Sequence, residues 1–562
     1  MGVKSHSKLP LVRRVSQVAF LAAFLFLLFR SEFTGSFRGV SGDTRLPWPV
    51  SIFLEADPLA ALSTALATGT LYRGLLWSLV ILVPTFFFGR FFCGWICPLG
   101  TLNHFVGSLR SEKKRGKALI ESNRYKPWHA TKYYVLAVVL LAAAFGSLVA
   151  GLVDPISLTV RSLSLSILPA VNYAAGSLLD LLYDSPWAAL RRVADVLQFL
   201  MQGTLASFKQ PYFRQAALIG LVFVGLLAIN LRVTRFWCRA LCPLGALLGL
   251  SSRWSLLHLT KDPARCDQCN LCLVGCQGGD DPIPGPKWRK AECHLCFNCV
   301  GRCPTSGIAF TLGRPPSAET MMEAPQLQRR KLLTGVVAGA ALVPLLRSTT
   351  GFAVESQSLL IRPPGALDET HFLERCIRCG ECMKVCPNNA LHPTLTEAGL
   401  EGLWTPVLVP RVGYCEPNCV LCGTVCPTGA IWEITVAQKL GKAPGDNAAA
   451  AAGESQPIRI GTAFYDQGRC LPWAMATDCI VCEEWCPTSP KAIYLVTADV
   501  LDAGQVTKTV RQPHVDPKRC IGCGACEYAC PVKDRPAVYV TSVGESRSKT
   551  NQFILPAAPR RG

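Results

Sequence analysis

Apolar residues fall into long blocks in the first half of this chain and into short scattered groups in the second. Four blocks, Val15–Phe29, Leu71–Phe92, Tyr133–Val153 and Gln215–Leu231, carry few charges. A membrane-spanning helix needs about 20 such residues, so the pattern predicts four transmembrane helices. Lys4, Lys8, Arg13 and Arg14 precede the first block and place its start on the cytoplasmic side. Between the second and third blocks stand Arg110, Lys113, Lys114, Arg115, Lys117, Arg124, Lys126 and Lys132 against Glu112 and Glu121. That imbalance marks a second cytoplasmic segment. Residues 30–70 and 154–213 are then external, with Pro186–Leu200 lying on the membrane surface as an amphipathic stretch.

A fifth apolar stretch, Leu332–Leu346, follows Gln328-Arg329-Arg330-Lys331. Paired arginines before a short, mild apolar core resemble a twin-arginine export signal. The segment is expected to stay as a fifth anchor. Composition agrees with a membrane protein: of 562 residues, 50% are hydrophobic, and mean hydropathy is +0.28. The formal charge of +19 is explained by basic residues flanking apolar segments, and nucleic acid is not expected as a partner.

The polar second half is organised by cysteine. Arg375–Pro387 reads RCIRCGECMKVCP, with Cys376, Cys379, Cys382 and Cys386 spaced C-x2-C-x2-C-x3-C and Pro387 next. This is the bacterial run for a [4Fe-4S] cluster, in which three thiolates wrap one cubane and the fourth ligates its neighbour. Gly380 helps the loop turn. The theme recurs six times. Cys266, Cys269, Cys272 and Cys276 form one run, with Gln277 where proline is usual, and Cys293, Cys296, Cys299 and Cys303 form the next. After the opening run come Cys415, Cys419, Cys422 and Cys426; then Cys470, Cys479, Cys482 and Cys486; then Cys520, Cys523, Cys526 and Cys530. Zinc also uses C-x2-C pairs, but the repeated C-x3-C-P ending favours iron and sulfur. In the last four runs the outer two are regular and the inner two irregular. That predicts nesting: Cys376, Cys379 and Cys382 with Cys530; Cys520, Cys523 and Cys526 with Cys386; Cys415, Cys419 and Cys422 with Cys486; Cys470, Cys479 and Cys482 with Cys426. An Ala/Gly-rich linker near 440–456, with Ala448–Ala452, separates the middle runs. Residues from about Ser542 on read as a tail.

Four of the 28 cysteines lie elsewhere. Cys93 and Cys97, and Cys238 and Cys242, sit in two matching C-x3-C-P-L-G motifs, each after an apolar block. The match marks an internal repeat of helix pairs. These thiols could bind a metal or redox centre or exchange disulfides; small residues packing before a proline turn is the plain alternative. No dinucleotide fingerprint, P-loop, haem C-x-x-C-H or nucleophile–base pair accompanies them. An electron wire ending in a membrane is expected to meet a quinone, and His104, His129, Tyr72, Arg73 and Asp154 are polar groups near the helix ends. Each is more readily an interfacial or capping residue.

With these motifs in place, residues 1–310 resemble the membrane-bound ferredoxin-type proteins of the NapH/MauN family, through the four helices, the Cys93/Cys97 and Cys238/Cys242 motifs and the two-cluster segment. Residues 325–562 resemble the NapG/MauM family, through the twin-arginine leader before sixteen cysteines in four runs. The resemblance implies a fused quinol dehydrogenase pair. It would carry electrons from membrane quinol through six [4Fe-4S] clusters to a periplasmic cytochrome or reductase, as in periplasmic nitrate reduction, with a cytoplasmic donor as a further partner. A copper-reductase-type assembly factor for a respiratory oxidase shares the membrane motifs and is the rival from another class. A relay subunit whose quinone site lies on another chain is a second rival.

The expected fold is a multi-pass α-helical membrane domain with α+β bacterial-ferredoxin-like domains, in a bacterial cytoplasmic membrane. Its parts are a four-helix domain at 1–255, a cytoplasmic two-cluster domain at 256–315, the anchor at 325–350, and a four-cluster, periplasmic domain at 355–562.

Overall fold

The computed structural model describes residues 8–33, 35, 37, 43–70, 72–109, 117–201, 211–278, 288–313, 329–348, 359–441, 457–501, 504 and 506–547. The linker expected near 440–456 lies outside the described residues from 442 on. The chain divides into two compact units, one of residues 1–28, 50–163 and 217–344, the other of 29–49, 164–216 and 345–562.

Among the described residues, two helices are long and apolar enough to cross a membrane: Lys8–Arg30, of 23 residues, and Pro155–Tyr183, of 29. The first matches its apolar block. The second lies within the segment 154–213 that was expected to be external, and it qualifies by length and composition. Asp154 caps its start, accepting the Ser157 N–H at 2.7 Å, with Pro155 in the first turn. Ser157, Ser162, Ser164 and Ser166, which weaken its apolar pattern, are all buried. The remaining blocks form shorter apolar helices at Arg73–Phe88, Ala216–Ile229 and Leu333–Arg347, and the third gives Thr131–Ala144. That helix ends early because Gly146 turns the chain at φ +77°, a left-handed stop. The stretch Pro186–Leu200 does become a helix, Ala188–Met201, with Val193, Val196 and Phe199 exposed.

The first unit buries polar and charged groups beside apolar ones such as Phe24, Leu59, Leu136 and Leu248. Arg13, Lys132, Arg235, Ser63, Thr85 and Asn103 are buried, while Val15, Val18, Val80, Phe87, Leu221 and Val224 are exposed.

The cysteine runs lie in three small modules, each closed by a local antiparallel pairing. Strand β1 (Leu257–Lys261) pairs with β2 (Ile308–Leu312) around the first two runs. A bridge from Ala366 to Ile431 brackets the third and fourth runs, with β3 (Leu391–Pro393) and β4 (Pro406–Leu408) paired inside it. Strand β5 (Thr462–Tyr465) pairs with β8 (Val538–Thr541) around the last two, and the nine-residue strands β6 (Ile493–Leu501) and β7 (Thr507–Val515) form a hairpin between them.

The tail expected from Ser542 on is held in place as far as Arg547, and the rest of it lies outside the described residues. Val543, Ser546 and Arg547 are held: Thr462 Oγ1 donates to the Val543 carbonyl at 2.8 Å, and the Ser546 N–H donates to that of Arg459 at 2.8 Å. Arg547 pairs with Glu369 at 3.0 Å, and Arg362 with the same carboxylate at 2.5 Å. Burial would push Glu369 up, but the two guanidiniums prevail and hold it at about 2. A depressed carboxylate contributes stability in full above its ordinary value, and that contribution is lost as pH falls toward about 2. Arg547→Ala should therefore lower the stability of the second unit by ~1–2 kcal/mol at neutral pH. The difference should shrink as pH drops below that ordinary range, read by denaturant melts at several pH values.

Candidate metal centres

Each regular run wraps tightly because the residues on both sides of its second cysteine adopt positive φ. Gln268 and Asn270 flank Cys269, Leu295 and Phe297 flank Cys296, Arg378 and Gly380 flank Cys379, and Gly522 and Gly524 flank Cys523. Only three of these eight are glycine, and the others bear the cost of the left-handed region. Gly522 cannot be replaced cheaply, since a Cβ there would meet the Gly461 backbone at 2.5 Å. The C-x3-C and C-x8-C spacings of the irregular runs use other turns; Val420 and Ile480 sit at φ −128° and −119°.

The runs exchange their fourth cysteine, but with the adjacent run. Cys376, Cys379, Cys382 and Cys426 line one small cavity of about 20 Å³. Cys520, Cys523, Cys526 and Cys486 line another of about 20 Å³. Cys293, Cys296, Cys299 and Cys276 line a third of about 30 Å³. The complementary sets agree: Cys419 and Cys422 lie within electrostatic reach of Cys415 and Cys386, Cys470 and Cys482 of Cys479 and Cys530, and Cys269 of Cys303. The nested pairing expected from run regularity is thus replaced by a sequential one. The reason is the local strand pairing, which brings each run against its neighbour and closes a far shorter loop. None of the cysteines is in a disulfide.

The donor sets fit iron–sulfur clusters. Burial pushes the thiols of Cys382, Cys422 and Cys526 well above the ordinary range, so a bound metal must favour their thiolates. Among the described residues no three His, Cys, Asp or Glu side chains converge on a point where a single ion could sit. A quartet spread around a cavity suits a cubane, not one zinc.

The quartets of the second unit follow one another. Cys382 lies within reach of Cys422, and Cys526 of Cys482. The two modules meet where the Cys415 N–H donates to the Cys523 carbonyl at 2.8 Å. The order is therefore the Cys376 quartet, the Cys415 quartet, the Cys520 quartet and the Cys470 quartet. Lys439, which the sequence did not single out, is buried against the second of these. Its Nζ donates to Cys415 Sγ at 3.3 Å and to the Glu416 and Cys419 carbonyls at 2.6 and 2.7 Å. Burial alone would lower its pKa; the thiolates of Cys415, Cys419 and Cys422 outweigh that and raise it. The helix Val436–Leu440 that carries it is fixed by a capping box between Thr435 and Gln438. Tyr465 Oη sits 3.2 Å from Cys482 Sγ in the last quartet.

A larger cavity of about 1090 Å³ also lies in the second unit. Phe33, Phe37, Phe213, Tyr414 and Trp485 line it, with Cys386 on its wall. The polar groups considered for a quinone behave mostly as structural residues. His129 Nδ1 accepts the Lys126 N–H at 3.1 Å and Asp154 caps a helix; His104 and Tyr72 are half-buried and Arg73 is exposed. Cys93, Cys97, Cys238 and Cys242 are buried, at 4–7% exposure.

Family models described as 4Fe-4S binding domain match residues 70–117 and 215–261, 370–392, and 511–532. Among curated relatives, the ferredoxin-type protein NapG of Escherichia coli is 31% identical over 221 residues, covering 38% of this chain and 86% of NapG. The methylamine utilization ferredoxin-type protein MauM of Methylorubrum extorquens is 34% identical over 212 residues, covering 36% of this chain and 84% of MauM. YccM of Escherichia coli is 24% identical over 314 residues, covering 54% of this chain and 76% of YccM. No solved structure matches.

A buried cation beside a cluster ligand favours the reduced, more negative state. Lys439→Met should lower the potential of one cluster by on the order of 100 mV and leave the others in place. Lys439→Arg should restore most of it. A redox titration followed by electron paramagnetic resonance reads both.

Proposed function

The chain belongs to the family of ferredoxin-type iron–sulfur proteins that includes NapG and MauM, and from that premise we propose that it is a membrane quinol dehydrogenase with six [4Fe-4S] clusters. The cysteine quartets would hold the clusters, which supply one-electron transfer when bound. Electrons would leave through the four-cluster module pair to a periplasmic cytochrome or reductase.

The observation that carries this reading is a match of sidedness. Segments expected outside pack on the last four runs: Phe33, Phe37 and Leu46 against Val385, Leu421 and Val425. Likewise, the Arg214 N–H donates to His392 at 3.3 Å and Asn389 donates to the Tyr212 carbonyl at 2.6 Å. The basic segment expected inside packs on the first two runs instead. Asn123 donates to the Leu273 and Val274 carbonyls at 3.3 and 3.1 Å, and Arg289 stacks on Tyr125 at 4.2 Å. The last four runs would then lie outside the cytoplasm, and the exposed apolar side chains of the first unit, such as Val15, Val80, Phe87 and Leu221, support a membrane setting.

The large cavity is the place we assign to the quinol ring. Its walls come partly from the ends of apolar helices: Glu32 and Phe33 follow Lys8–Arg30, and Phe213 precedes Ala216–Ile229. Oxidation of a quinol releases two electrons and two protons, and Glu416 and Glu484 on the wall offer carboxylates for the protons. Aromatic faces at Phe213 and Trp485 suit a flat ring.

Two measurements test this. A reporter fused after residue 562 should be active only outside the cytoplasm; activity inside would overturn the topology. A water-soluble quinol analogue should reduce the clusters of purified protein, and Trp485→Ala should slow that reduction about 10-fold or more, while dithionite still reduces the variant fully. Failure of the analogue to reduce the wild type would remove the quinol reading.

A further inference from the structure

We propose that Cys93, Cys97, Cys238 and Cys242 together hold one further iron–sulfur centre, shared between the two halves of the helical repeat and flanked by buried cations. Neither the ferredoxin runs nor the quinol reading requires it.

The four thiols are built into equivalent places. Cys97 caps Pro98–Ser108 and Cys242 caps Pro243–Ser252, each with proline in the first turn. Their sulfurs accept the Gly100 and Gly245 N–H groups at 3.4 and 3.2 Å. Cys93 and Cys238 precede them by one turn, on Phe91–Trp95 and Trp237–Leu241. Helix N-termini favour thiolates, and here two of them present amides to sulfur. The two motifs meet in space. Asn103, on the helix that Cys97 caps, donates to Cys238 Sγ at 3.6 Å and is held by Asn230 Nδ2 at 2.5 Å. Cys242 lies within electrostatic reach of Cys238, Cys93 and Cys97.

Charge makes the case for a bound group. Arg90 and Arg235 are each 1% exposed. Arg90 Nη2 is 4.0 Å from Cys93 Sγ and 2.8 Å from the point where a Cβ on Gly245 would stand. It therefore lies between one motif and the other. Arg235 Nη1 donates to the Cys93 carbonyl at 3.1 Å. Arg90 Nε, Arg235 Nε and Arg235 Nη2 have no hydrogen-bond partner among the described residues. The carboxylate near Arg90 is Glu292, at 3.8 Å, and it is already engaged by Lys132 and by Tyr133 at 2.9 Å. Arg90 shares that carboxylate and donates to the Ala291 carbonyl at 2.8 Å, whereas Arg235 has no carboxylate partner among the described residues; a buried guanidinium short of counter-charge is strongly destabilising, and neutral thiols do not relieve that. Four thiolates on a metal–sulfide core do, and their sulfurs accept the idle N–H groups.

The class of centre follows from two further facts. Among the described residues the four thiols form no cluster around a single ion position, an arrangement that suits a polynuclear core better than one copper or zinc ion. The family matches at 70–117 and 215–261, described as 4Fe-4S binding, contain these four cysteines and none of the others.

The test is an iron and acid-labile sulfide determination, with electron paramagnetic resonance, on full-length protein purified without oxygen. Cys97→Ser combined with Cys242→Ser should lose the iron and sulfide of one centre per chain, and one resonance, with the remaining signals intact. Equal content in variant and wild type would overturn the proposal, as would loss of copper or zinc in place of iron. If that variant fails to accumulate, Arg235→Gln keeps every thiol and decides. The midpoint potential of one signal should shift down with the rest fixed, and no shift in any signal would overturn the proposal. Because each readout is a difference from wild type, it is independent of the number of clusters in the ferredoxin modules and of quinol as the donor.

Discussion

The exchange of a fourth thiol between neighbouring cysteine runs is the constraint on which the cluster-bearing part of this chain depends. The elements around it are too small to hold themselves. The helices that follow the runs, such as Leu271–Val274, Glu381–Lys384, Leu421–Thr424 and Val481–Glu484, are four residues long, far below what is stable alone. Strands β3 and β4 have three residues each. A cluster that ties two runs together would reinforce the small apolar cores around them, such as Leu259, Leu273, Trp288 and Ile308, so that metal binding and folding are coupled. The same tie explains the left-handed residues around Cys269 and Cys296, which an unliganded loop would not retain.

The cysteine runs were legible in the sequence because spacing alone defines them, and C-x2-C-x2-C-x3-C-P has few uses other than holding iron–sulfur clusters. Their pairing was not. It depends on strand contacts such as Ala366 with Ile431 and Thr462 with Thr541, made by elements too short for a period to show. Regularity of the runs pointed to nesting, whereas irregularity reflects local turn geometry: each module of the second unit contains one regular and one irregular run. Lys439 was invisible for a similar reason. One lysine at the end of a short helix is ordinary until the fold buries it against Cys415. The helix Pro155–Tyr183 was missed because its serines break the apolar pattern, and only the fold shows that they face inward.

The first unit follows a different rule. It buries apolar residues such as Phe24, Leu59, Leu136 and Leu248, but arginines, amides and hydroxyls share that interior and are not held by apolar burial. Small and polar contacts hold the interior instead: Gly94 lies so close to the His294 carbonyl that a Cβ would clash at 2.1 Å, and Gln17 donates to the Gly94 carbonyl at 2.8 Å. Such a polar interior tolerates charge only where opposite charge is supplied. That ties the buried arginines to the sulfur chemistry around them, and explains how a chain with a formal charge of +19 can bury so many cations.

The line of quartets in the second unit has a consequence for where electrons enter. Cys386, which belongs with the Cys415 quartet, forms part of the large cavity wall, as does Pro487 beside Cys486 of the Cys520 quartet. The cavity therefore opens on the two middle positions of the line, not on an end. Lys439 stands at one of these. A cation there would make a cluster at that position the easier one to reduce, and under the proposed quinol reading this favours withdrawal of an electron from a donor in the cavity. From the middle, two directions are open, toward the Cys376 quartet and toward the Cys470 quartet. A donor that gives up electrons in pairs to carriers that take them singly needs two acceptors at hand. A central entry point with a quartet on either side meets that need, whereas a donor docked at one end of a linear wire would have to wait for the first electron to move on before releasing the second.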